Sequence, residues 1–295
     1  MREDLDLLRG AVDSHQHAGP SLFPRLMDII EAAEIARSWG MRGILVKHHH
    51  TSTTDRAYIA SKSVPDVEVY GGVTLNYAVG GLNPFAVDAC LKQGGRMVWM
   101  PSVDAFNHSR HFGELGKYGD RLNYDKPGIY EGIEGITILD EDEELVPPVY
   151  EILDLIADAD AAVATSHLSP DESRALVEVA EMKGVRLVVT HANFVTAGLS
   201  LDEQRWFADM GVYLEVCYSS LSPAWRNVSI DEVSETIKTI GAENYIIASD
   251  LGQVHNPPPP EGLRILITML LERGLSSEEI RLMVKRNPED LMGLT

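Results

Sequence analysis

The sequence predicts an α/β protein in which eight strands alternate with helices as a (β/α)8 TIM barrel, with a long insertion after the fourth strand. Eight short apolar stretches run along the 295-residue chain, and the segments between them carry apolar residues at helical spacing. Polar or ionisable side chains end the first, fifth, sixth and eighth stretches. The first and eighth strands of an open doubly wound sheet usually do not meet, whereas in a closed barrel their carboxyl ends share one mouth. We therefore favour the barrel over the open sheet.

Each predicted strand is a short apolar run, and glycine precedes several of them, where it would end the preceding helix. Ser169 and Ser200 are predicted to begin helices, because proline follows Ser169 and a capping-box glutamate follows Ser200. A last helix is predicted at 276–285, after which the chain should turn at Asn287-Pro288. The strands are predicted at 11–13, 43–47, 67–74, 96–100, 161–165, 185–190, 212–216 and 245–249.

One segment departs from the alternation and is predicted to be an insertion at the catalytic face. Residues 102–145 follow the fourth strand and show no clean helix pattern. Within them, 135–139 and 145–146 would form a small hairpin that turns at the acidic run 140–144. A long loop on this face is usually a lid or a specificity loop, and a family-specific decoration is the alternative. No linker is apparent, so residues 1–295 are predicted to form a single domain.

The composition argues against several classes of protein. The net charge of −20 disfavours binding to the phosphate backbone of nucleic acids. No apolar run is long enough for a membrane span, and the N-terminus is acidic where a signal peptide would be basic. Cys90 and Cys217 form no CxxC pair, and two free thiols are typical of the reducing cytoplasm. We expect a cytoplasmic protein that acts on a small molecule, and a homo-oligomer is compatible with the sequence.

The residues that end the strands predict a metal site. His15 and His17 are two positions apart in an extended segment, so both imidazoles point the same way and can reach one ion. His167, His191 and Asp250 end three later strands. Five metal-competent groups at the carboxyl ends of strands are difficult to explain as packing.

Strand alternation places further side chains inside the barrel. In the seventh strand Glu215 should face inward with Tyr213 and Cys217, and in the second strand Leu45 and Lys47 should share a face. A lone charge there would be costly, so Lys47 and Glu215 either pair with each other or bind substrate. The same alternation is expected to put on one face Val163, Thr165 and His167 in the fifth strand, and Leu187, Val189 and His191 in the sixth.

Loop residues add candidates for substrate binding. One histidine of the run 48–50, taken as His49, is expected to line the mouth, while the other two face solvent. Arg25 in the first βα loop either binds an anionic group or is a surface residue at a helix start. The same alternatives hold for His108, Arg110 and His111 in the insertion.

This ordered set resembles the amidohydrolase superfamily, a group of metal-dependent hydrolases with TIM-barrel folds. The resemblance rests on the Asp-x-His-x-His of 13–17, the single histidines that end the fifth and sixth strands, the aspartate that ends the eighth, and the final segment 287–294. It runs over nearly the whole chain and is strongest to a group whose substrates are uncharacterised. The resemblance therefore implies a chemistry more readily than a substrate.

The resemblance also implies a ligand set. His15, His17 and Asp250 would bind the more buried metal. His167 and His191 would bind a second metal; in one-metal relatives His167 ligates the first ion and His191 assists it. The implied cofactor is a divalent ion, with zinc the usual occupant of such N/O sites and manganese, iron or nickel as alternatives.

The chain departs from two-metal relatives at the end of the fourth strand. Those relatives often place a bridging carboxylated lysine or a glutamate there, where this chain has WMPSVD at 99–104. Lys47 is either a displaced, carboxylated bridging ligand or an unmodified cation that binds a substrate carboxylate or phosphate, and we favour the cation. Asp104 is a weaker substitute for the bridge. The number of metal ions is therefore open, at one or two.

The implied reaction is hydrolysis of a small-molecule amide, lactone or ester by metal-activated water. Asp250 would accept the proton of the water and deliver it to the leaving group, and His191 would stabilise the oxyanion if it is not a ligand. One alternative is a one-metal decarboxylase or hydratase of the same superfamily. The other is a non-catalytic protein that binds a metal or a small molecule.

Overall fold

The computed structural model describes residues 2–118, 130, 132–225 and 228–294. None of the described helices combines the length and the apolar character that a membrane crossing requires. The strands are β1 Val12–His17, β2 Gly43–Lys47, β3 Glu68–Tyr70, β4 Gly72–Thr74, β5 Met97–Trp99, β6 Ala162–Ala164, β7 Arg186–Val189, β8 Tyr213–Cys217 and β9 Tyr245–Ala248. The helices are α1 Glu3–Leu8, α2 Ile29–Ser38, α3 Thr54–Ser63, α4 Pro84–Lys92, α5 Phe106–Phe112, α6 Pro147–Asp158, α7 Pro170–Met182, α8 Leu201–Asp209, α9 Tyr218–Leu221, α10 Ile230–Ile240, α11 Pro259–Glu272, α12 Ser277–Arg281 and α13 Asn287–Leu291.

The strands form a closed parallel barrel. β1, β2 and β3 pair in that order, and β4 to β9 pair in theirs; β3 and β4 are the two halves of one strand, separated by Gly71. The ring closes where the segment after β9 meets β1. There the Asp250 amide donates to the His15 carbonyl and the His17 amide donates to the Leu251 carbonyl, each at 2.7 Å. All eight predicted strand positions and the (β/α)8 fold are confirmed.

Gly252 allows this close approach of the last strand to the first. A Cβ atom at this position would lie 1.9 Å from the carbonyl oxygen of His17, and the residue has φ +130°, where side chains are strained. Only glycine fits between the two metal-site strands at this point. The same contact fixes Asp250, two residues earlier, beside His15 and His17.

Apolar side chains pack in two layers on either side of the barrel wall. In β8, residues 212, 214 and 216 pack against the helices, whereas Tyr213 contacts the interior layer, as predicted. Leu45 also lies in the interior layer, which Leu291 and Met292 close from below. The interior layer comprises Val12, Leu45, Met97, Trp99, Ala162, Ala164, Val188, Ile246, Leu291 and Met292.

The alternation predicted for the fifth and sixth strands is wrong. Val163, Leu187 and Val189 pack outward against the helices, although His167 and His191 point into the barrel mouth. The strands end before the histidines, at 164 and 189. Positive φ at Ser166 (53°) and at His191 itself (42°) then turns the chain, so side-chain direction no longer follows the two-residue period.

The insertion contains more regular structure than predicted. Residues 106–112 form helix α5, in a segment where no helix was expected. The predicted hairpin is present, with an antiparallel bridge between Leu139 and Leu145. Residues 119–129 and 131 of this segment lie outside the described residues, and a lid function stays a prediction, as does the single-domain assignment.

The C-terminal prediction was partly wrong. A helix begins at Ser277 as expected, but the chain does not turn at Asn287-Pro288: a π-helical turn at 282–286 leads into α13. Proline is tolerated there because it occupies the first turn of α13. The Asn287 amide donates to the carbonyls of Ala242 and Tyr245, which ties this end of the chain to β9.

Candidate metal centre

The predicted metal ligands meet in one pocket at the carboxyl ends of the strands. The pocket has an empty volume of about 850 Å³, including the part open to solvent. His15 lies beneath its floor, fully buried. The lining residues are His17, Phe23, Pro24, Arg25, Lys47, His49, Tyr118, His167, His191, Phe194, Ser219, Ser220, Trp225, Asp250, Gln253, Val254 and His255.

Asp250 is the centre of the cluster. Its Oδ1 lies 3.0 Å from His17 Nε2 and 3.3 Å from His15 Nε2, and its Oδ2 lies 3.5 Å from His191 Nε2. The Ser219 hydroxyl donates to Oδ2 at 2.6 Å. Burial works against ionisation of Asp250, but the neighbouring His15, the largest opposing cause, outweighs burial and holds the pKa of Asp250 well below the usual value.

His15 and His17 both turn Nε2 toward Asp250. His17 Nδ1 lies 3.0 Å from the carbonyl oxygen of Lys47, and because a carbonyl can only accept, Nδ1 carries the proton. Burial, followed by the charge of Arg25, holds the pKa of His17 well below its usual value, so the ring is neutral and Nε2 has no proton to donate. His15 Nδ1 donates to Glu215 Oε2 at 3.0 Å, so Nε2 is the ring nitrogen left for a metal, and it is buried with no hydrogen-bond partner among the described residues.

Two imidazole Nε2 atoms, each in a ring whose Nδ1 is engaged on the far side, therefore converge on a carboxylate oxygen. The ligand atoms of His15, His17 and Asp250 all lie within 4.8 Å of one another. Three electron-pair donors at this separation repel one another unless a cation lies among them. Two imidazole nitrogens and a carboxylate oxygen are a donor set that zinc and similar divalent ions accept. The residues present thus fit a divalent metal ion.

Glu215 lies behind His15 rather than at the pocket wall. Besides His15, it accepts hydrogen bonds from Cys217 Sγ at 3.2 Å and from the His191 amide at 3.3 Å. Burial, and then the Glu215 charge, raises the pKa of the Cys217 thiol well above its usual value, so the thiol remains a donor. The alternative that Glu215 pairs with Lys47 is wrong: among the described residues its oxygens bond His15, Cys217 and the His191 amide, so it can orient a metal centre through His15. Substrate binding by Glu215 stays a prediction.

His167 is oriented by a second histidine, His108 of α5. The two Nδ1 atoms are 2.7 Å apart, and His108 Nε2 lies 2.6 Å from the carbonyl of Lys117. The carbonyl requires a proton on His108 Nε2, so in neutral His108 the Nδ1 is an acceptor and His167 Nδ1 must donate to it. His167 then presents a bare Nε2, and Asn107 fixes its backbone by donating to its carbonyl at 3.1 Å.

His191 approaches the cluster at Asp250, whose Oδ2 lies 3.5 Å from His191 Nε2. Burial lowers its pKa to about 4, so it is neutral at ordinary pH. Its ring stacks on that of His15 with 5.4 Å between centroids, and the same distance separates it from the His167 ring. His15, His17 and Asp250 form one compact set of metal-competent groups, while His167 belongs to neither such set found among the described residues.

Lys47 and Arg25 bring two positive charges to the pocket. Lys47 is buried, with Nζ 5.6 Å from the centroid of Trp99, and burial lowers its pKa. Arg25 forms an antiparallel β-bridge with Gln253, which holds it over the mouth of the pocket. Burial lowers the pKa of Arg25 to about 10. Both candidates for anion binding therefore reach the site.

The other candidates divide between the pocket and its surroundings. His49 lines the pocket, stacks on His17 with 5.0 Å between centroids, and hydrogen-bonds Ser102 through Nδ1. His48 and His50 are buried, so the expectation that they face solvent is wrong; His48 Nε2 donates to the Pro20 carbonyl. Asp104 lies outside the pocket, where it accepts from the amide of Tyr77 and the hydroxyl of Tyr130, so it is no substitute bridge.

Comparison with known proteins places the chain in a family. The sequence profile of DUF6282, a family of unknown function, matches residues 10–215, more than half of the chain. The chain belongs to this family. No curated protein matches it.

Solved structures confirm the fold that the resemblance to the amidohydrolase superfamily implies. An amidohydrolase from Pseudomonas aeruginosa matches with a TM-score of 0.64 and 13% identity, covering 98% of both chains. A 2,6-dihydroxybenzoate decarboxylase matches with a TM-score of 0.59 and 10% identity over 97% of this chain and 99% of the other. A phosphotriesterase homology protein from Escherichia coli matches with a TM-score of 0.56 and 12% identity over 96% of this chain and 98% of the other.

Proposed function

We propose that the protein is a metal-dependent hydrolase that uses metal-activated water to cleave a small-molecule amide, lactone or ester. The observation that carries this proposal is the convergence of His15 Nε2, His17 Nε2 and Asp250 Oδ1, with both histidine Nδ1 atoms engaged by other partners. The shared fold with hydrolases adds to it. Because Cys90 and Cys217 are buried free thiols, we also propose that the enzyme acts in the cytoplasm.

His15, His17 and Asp250 would hold the ion, with His167 and His191 as further ligands if the site takes a second ion. Zinc is our first choice. A divalent ion bound there lowers the pKa of a water from 15.7 to about 7 and polarises a carbonyl or phosphoryl oxygen. Glu215 behind His15, and the Lys47 carbonyl behind His17, keep both rings in the tautomer that ligation needs.

The chain's own residues supply the acid–base chemistry. Asp250 is ionised, so it can accept a proton from the attacking water and pass it to the leaving group. Ser219 fixes the carboxylate by donating to Oδ2. Lys47 and His191 lie around the same pocket and would stabilise negative charge that develops on the substrate oxygen.

Elemental analysis of protein purified without chelator tests the metal site. We expect at least one divalent ion per chain, lost in His15→Ala and retained in Lys47→Ala. Two ions in the wild type, with one lost in Lys47→Ala, would instead make Lys47 a bridging ligand. No metal in any preparation, even after reconstitution, would overturn the proposal.

A decarboxylase is the second candidate, favoured by the two cations in the pocket, which suit a carboxylated substrate, and by the fold shared with a decarboxylase. The two reactions differ in the fate of the solvent oxygen. In ¹⁸O water a hydrolase puts the label into the product acid, whereas a decarboxylase releases carbon dioxide without labelling the remaining product. Bound metal with neither outcome over a broad panel of esters, lactones, amides and acids would favour the non-catalytic alternative.

Replacement of His108 tests the tautomer of His167. We expect His108→Phe to weaken binding of the ion that His167 ligates by about 10–100-fold, because loss of an orienting partner typically costs that much affinity. Competition with a chromogenic chelator measures the change. His111→Phe on the same helix is the matched control and should leave metal affinity unchanged. Equal affinities in both variants would remove His167 from the ligand set.

A further inference from the structure

Two positive charges enter the pocket without an ion pair among the described residues. Lys47 Nζ faces Trp99 and makes no salt bridge to any described carboxylate. Arg25 Nε and Nη2 are shielded from solvent and have no hydrogen-bond partner in the described part of the chain. Asp250 is close enough to influence both, but its Oδ2 accepts from Ser219 and its Oδ1 faces His15 and His17. A buried lysine and a half-buried arginine in this setting call for an anion, and the substrate is the component still to be added.

The pocket wall between Arg25 and the metal centre is a continuous row of aromatic rings. The Arg25 guanidinium carbon lies 5.6 Å from the centroid of Phe23. From there the ring centroids follow at 5.9 Å to Tyr118, 5.5 Å to Trp225 and 5.2 Å to Phe194. Phe194 ends the row 5.6 Å from the ring of His191. The row therefore runs from a cation at the mouth to a histidine of the metal centre.

The combination of wall and charge selects among ligand classes. An aromatic row by itself also suits organic cations, but Arg25 and Lys47 repel a positively charged ligand. Inorganic phosphate would satisfy the cations but would gain no stacking or edge contact with the rings. A flat ring gains stacking or edge contacts with such a row, and a carboxylate pairs with the planar fork of arginine.

We propose that the substrate is an aromatic or conjugated-ring carboxylic acid that carries the scissile amide, lactone or ester bond; this rests on the proposed function. The carboxylate pairs with Arg25, the ring lies along Phe23, Tyr118, Trp225 and Phe194, and the scissile carbonyl reaches Asp250 and Lys47. The aromatic row thus provides the surface along which the ring of the substrate packs.

Binding calorimetry on the metal-loaded, full-length protein tests the proposal with four probes: benzoate, cyclohexanecarboxylate, benzamide and inorganic phosphate. We expect benzoate to bind at least about tenfold more tightly than each of the others. Arg25→Met should weaken benzoate at least about tenfold and leave benzamide unchanged. Trp225→Leu should narrow the gap between benzoate and cyclohexanecarboxylate. The exposed residues Arg37 and Phe85 provide the matched controls Arg37→Met and Phe85→Leu, and thermal unfolding verifies that every variant is folded.

Several outcomes overturn the inference and spare the proposed function. These are benzoate binding no tighter than benzamide or phosphate, benzoate affinity that ignores Arg25→Met, or hydrolysis of neutral esters with no preference for acids. A different result would support this inference and refute the proposed function. That result is Arg25-dependent benzoate binding by protein that takes up no metal, even after reconstitution.

Discussion

Replacement of Asp250 by asparagine is expected to lower kcat by about 10³-fold or more while leaving much of the bound metal in place. Asparagine preserves the size of the side chain and one acceptor oxygen, so His15, His17 and Ser219 keep a polar partner. It removes the negative charge and the ability to take a proton. Since Asp250 is the carboxylate on which the histidines converge, no described side chain can take over its role.

Asp104→Asn is the matched control for this variant. Asp104 is also a fully buried aspartate near a strand end, but it contacts Tyr77 and Tyr130 outside the pocket. We expect a change in kcat of less than about threefold, because Asp104 bonds Tyr77 and Tyr130 and is not among the residues that line the pocket. Full activity of Asp250→Asn would refute the base assignment. Equal losses in both variants would indicate that the effect is structural.

The strands and the clustering of the candidate metal ligands could be predicted from the sequence because both follow from local rules. Apolar runs of strand length between helical patterns locate the barrel wall, and closure forces strand ends to one mouth. His15, His17 and Asp250 lie at or directly after β1 and β9, so strand ends alone place them together. Lys47 and Glu215 pointed inward as strand alternation requires.

Side-chain partners could not be predicted where the chain leaves the strand geometry. The left-handed backbone at Ser166 and His191 reverses the direction that alternation gives for the fifth and sixth strands. The sequence run at 107–111 showed histidines, but only the folded insertion brings His108 to His167. Ser219 was not predicted to contact Asp250. Its position two residues after the end of β8, where strand ends face the pocket, was the only indication in the sequence.

The aromatic row was beyond sequence reasoning for a different reason. Phe23, Tyr118, Phe194 and Trp225 come from four separate loops, none of which has a repeating pattern. As long as the positions of the loops in the fold are unknown, each of these residues could equally be a core residue or a surface residue. Strand periodicity carries no information about such contacts, so substrate recognition emerges only from the assembled structure.

The second large effect is expected from Glu215→Ala, which should lower both the stability and the metal affinity of the protein. Glu215 is fully enclosed; burial tends to raise its pKa, but His15 outweighs burial and keeps the pKa below its usual value. The carboxylate accepts from His15, Cys217 and the His191 amide. Truncation strands these donors in the interior, and breaking a buried pair in this way costs about 3–5 kcal/mol of unfolding free energy.

Metal affinity should fall by about 10–100-fold in the same variant, because His15 loses the acceptor that holds its proton on Nδ1. Denaturant unfolding and chelator competition measure the two effects separately. Glu172→Ala is the matched control, since Glu172 is a buried carboxylate that accepts from Thr137, Ile138 and Ser169, none of which is a candidate metal ligand. Its loss should destabilise the fold without changing metal affinity. If Glu215→Ala loses stability alone, as the control does, Glu215 serves only the fold. A joint loss of stability and metal affinity would show that this carboxylate both supports the barrel interior and orients His15. Both effects are expected because Glu215 accepts from Cys217 and the His191 amide in the interior as well as from His15.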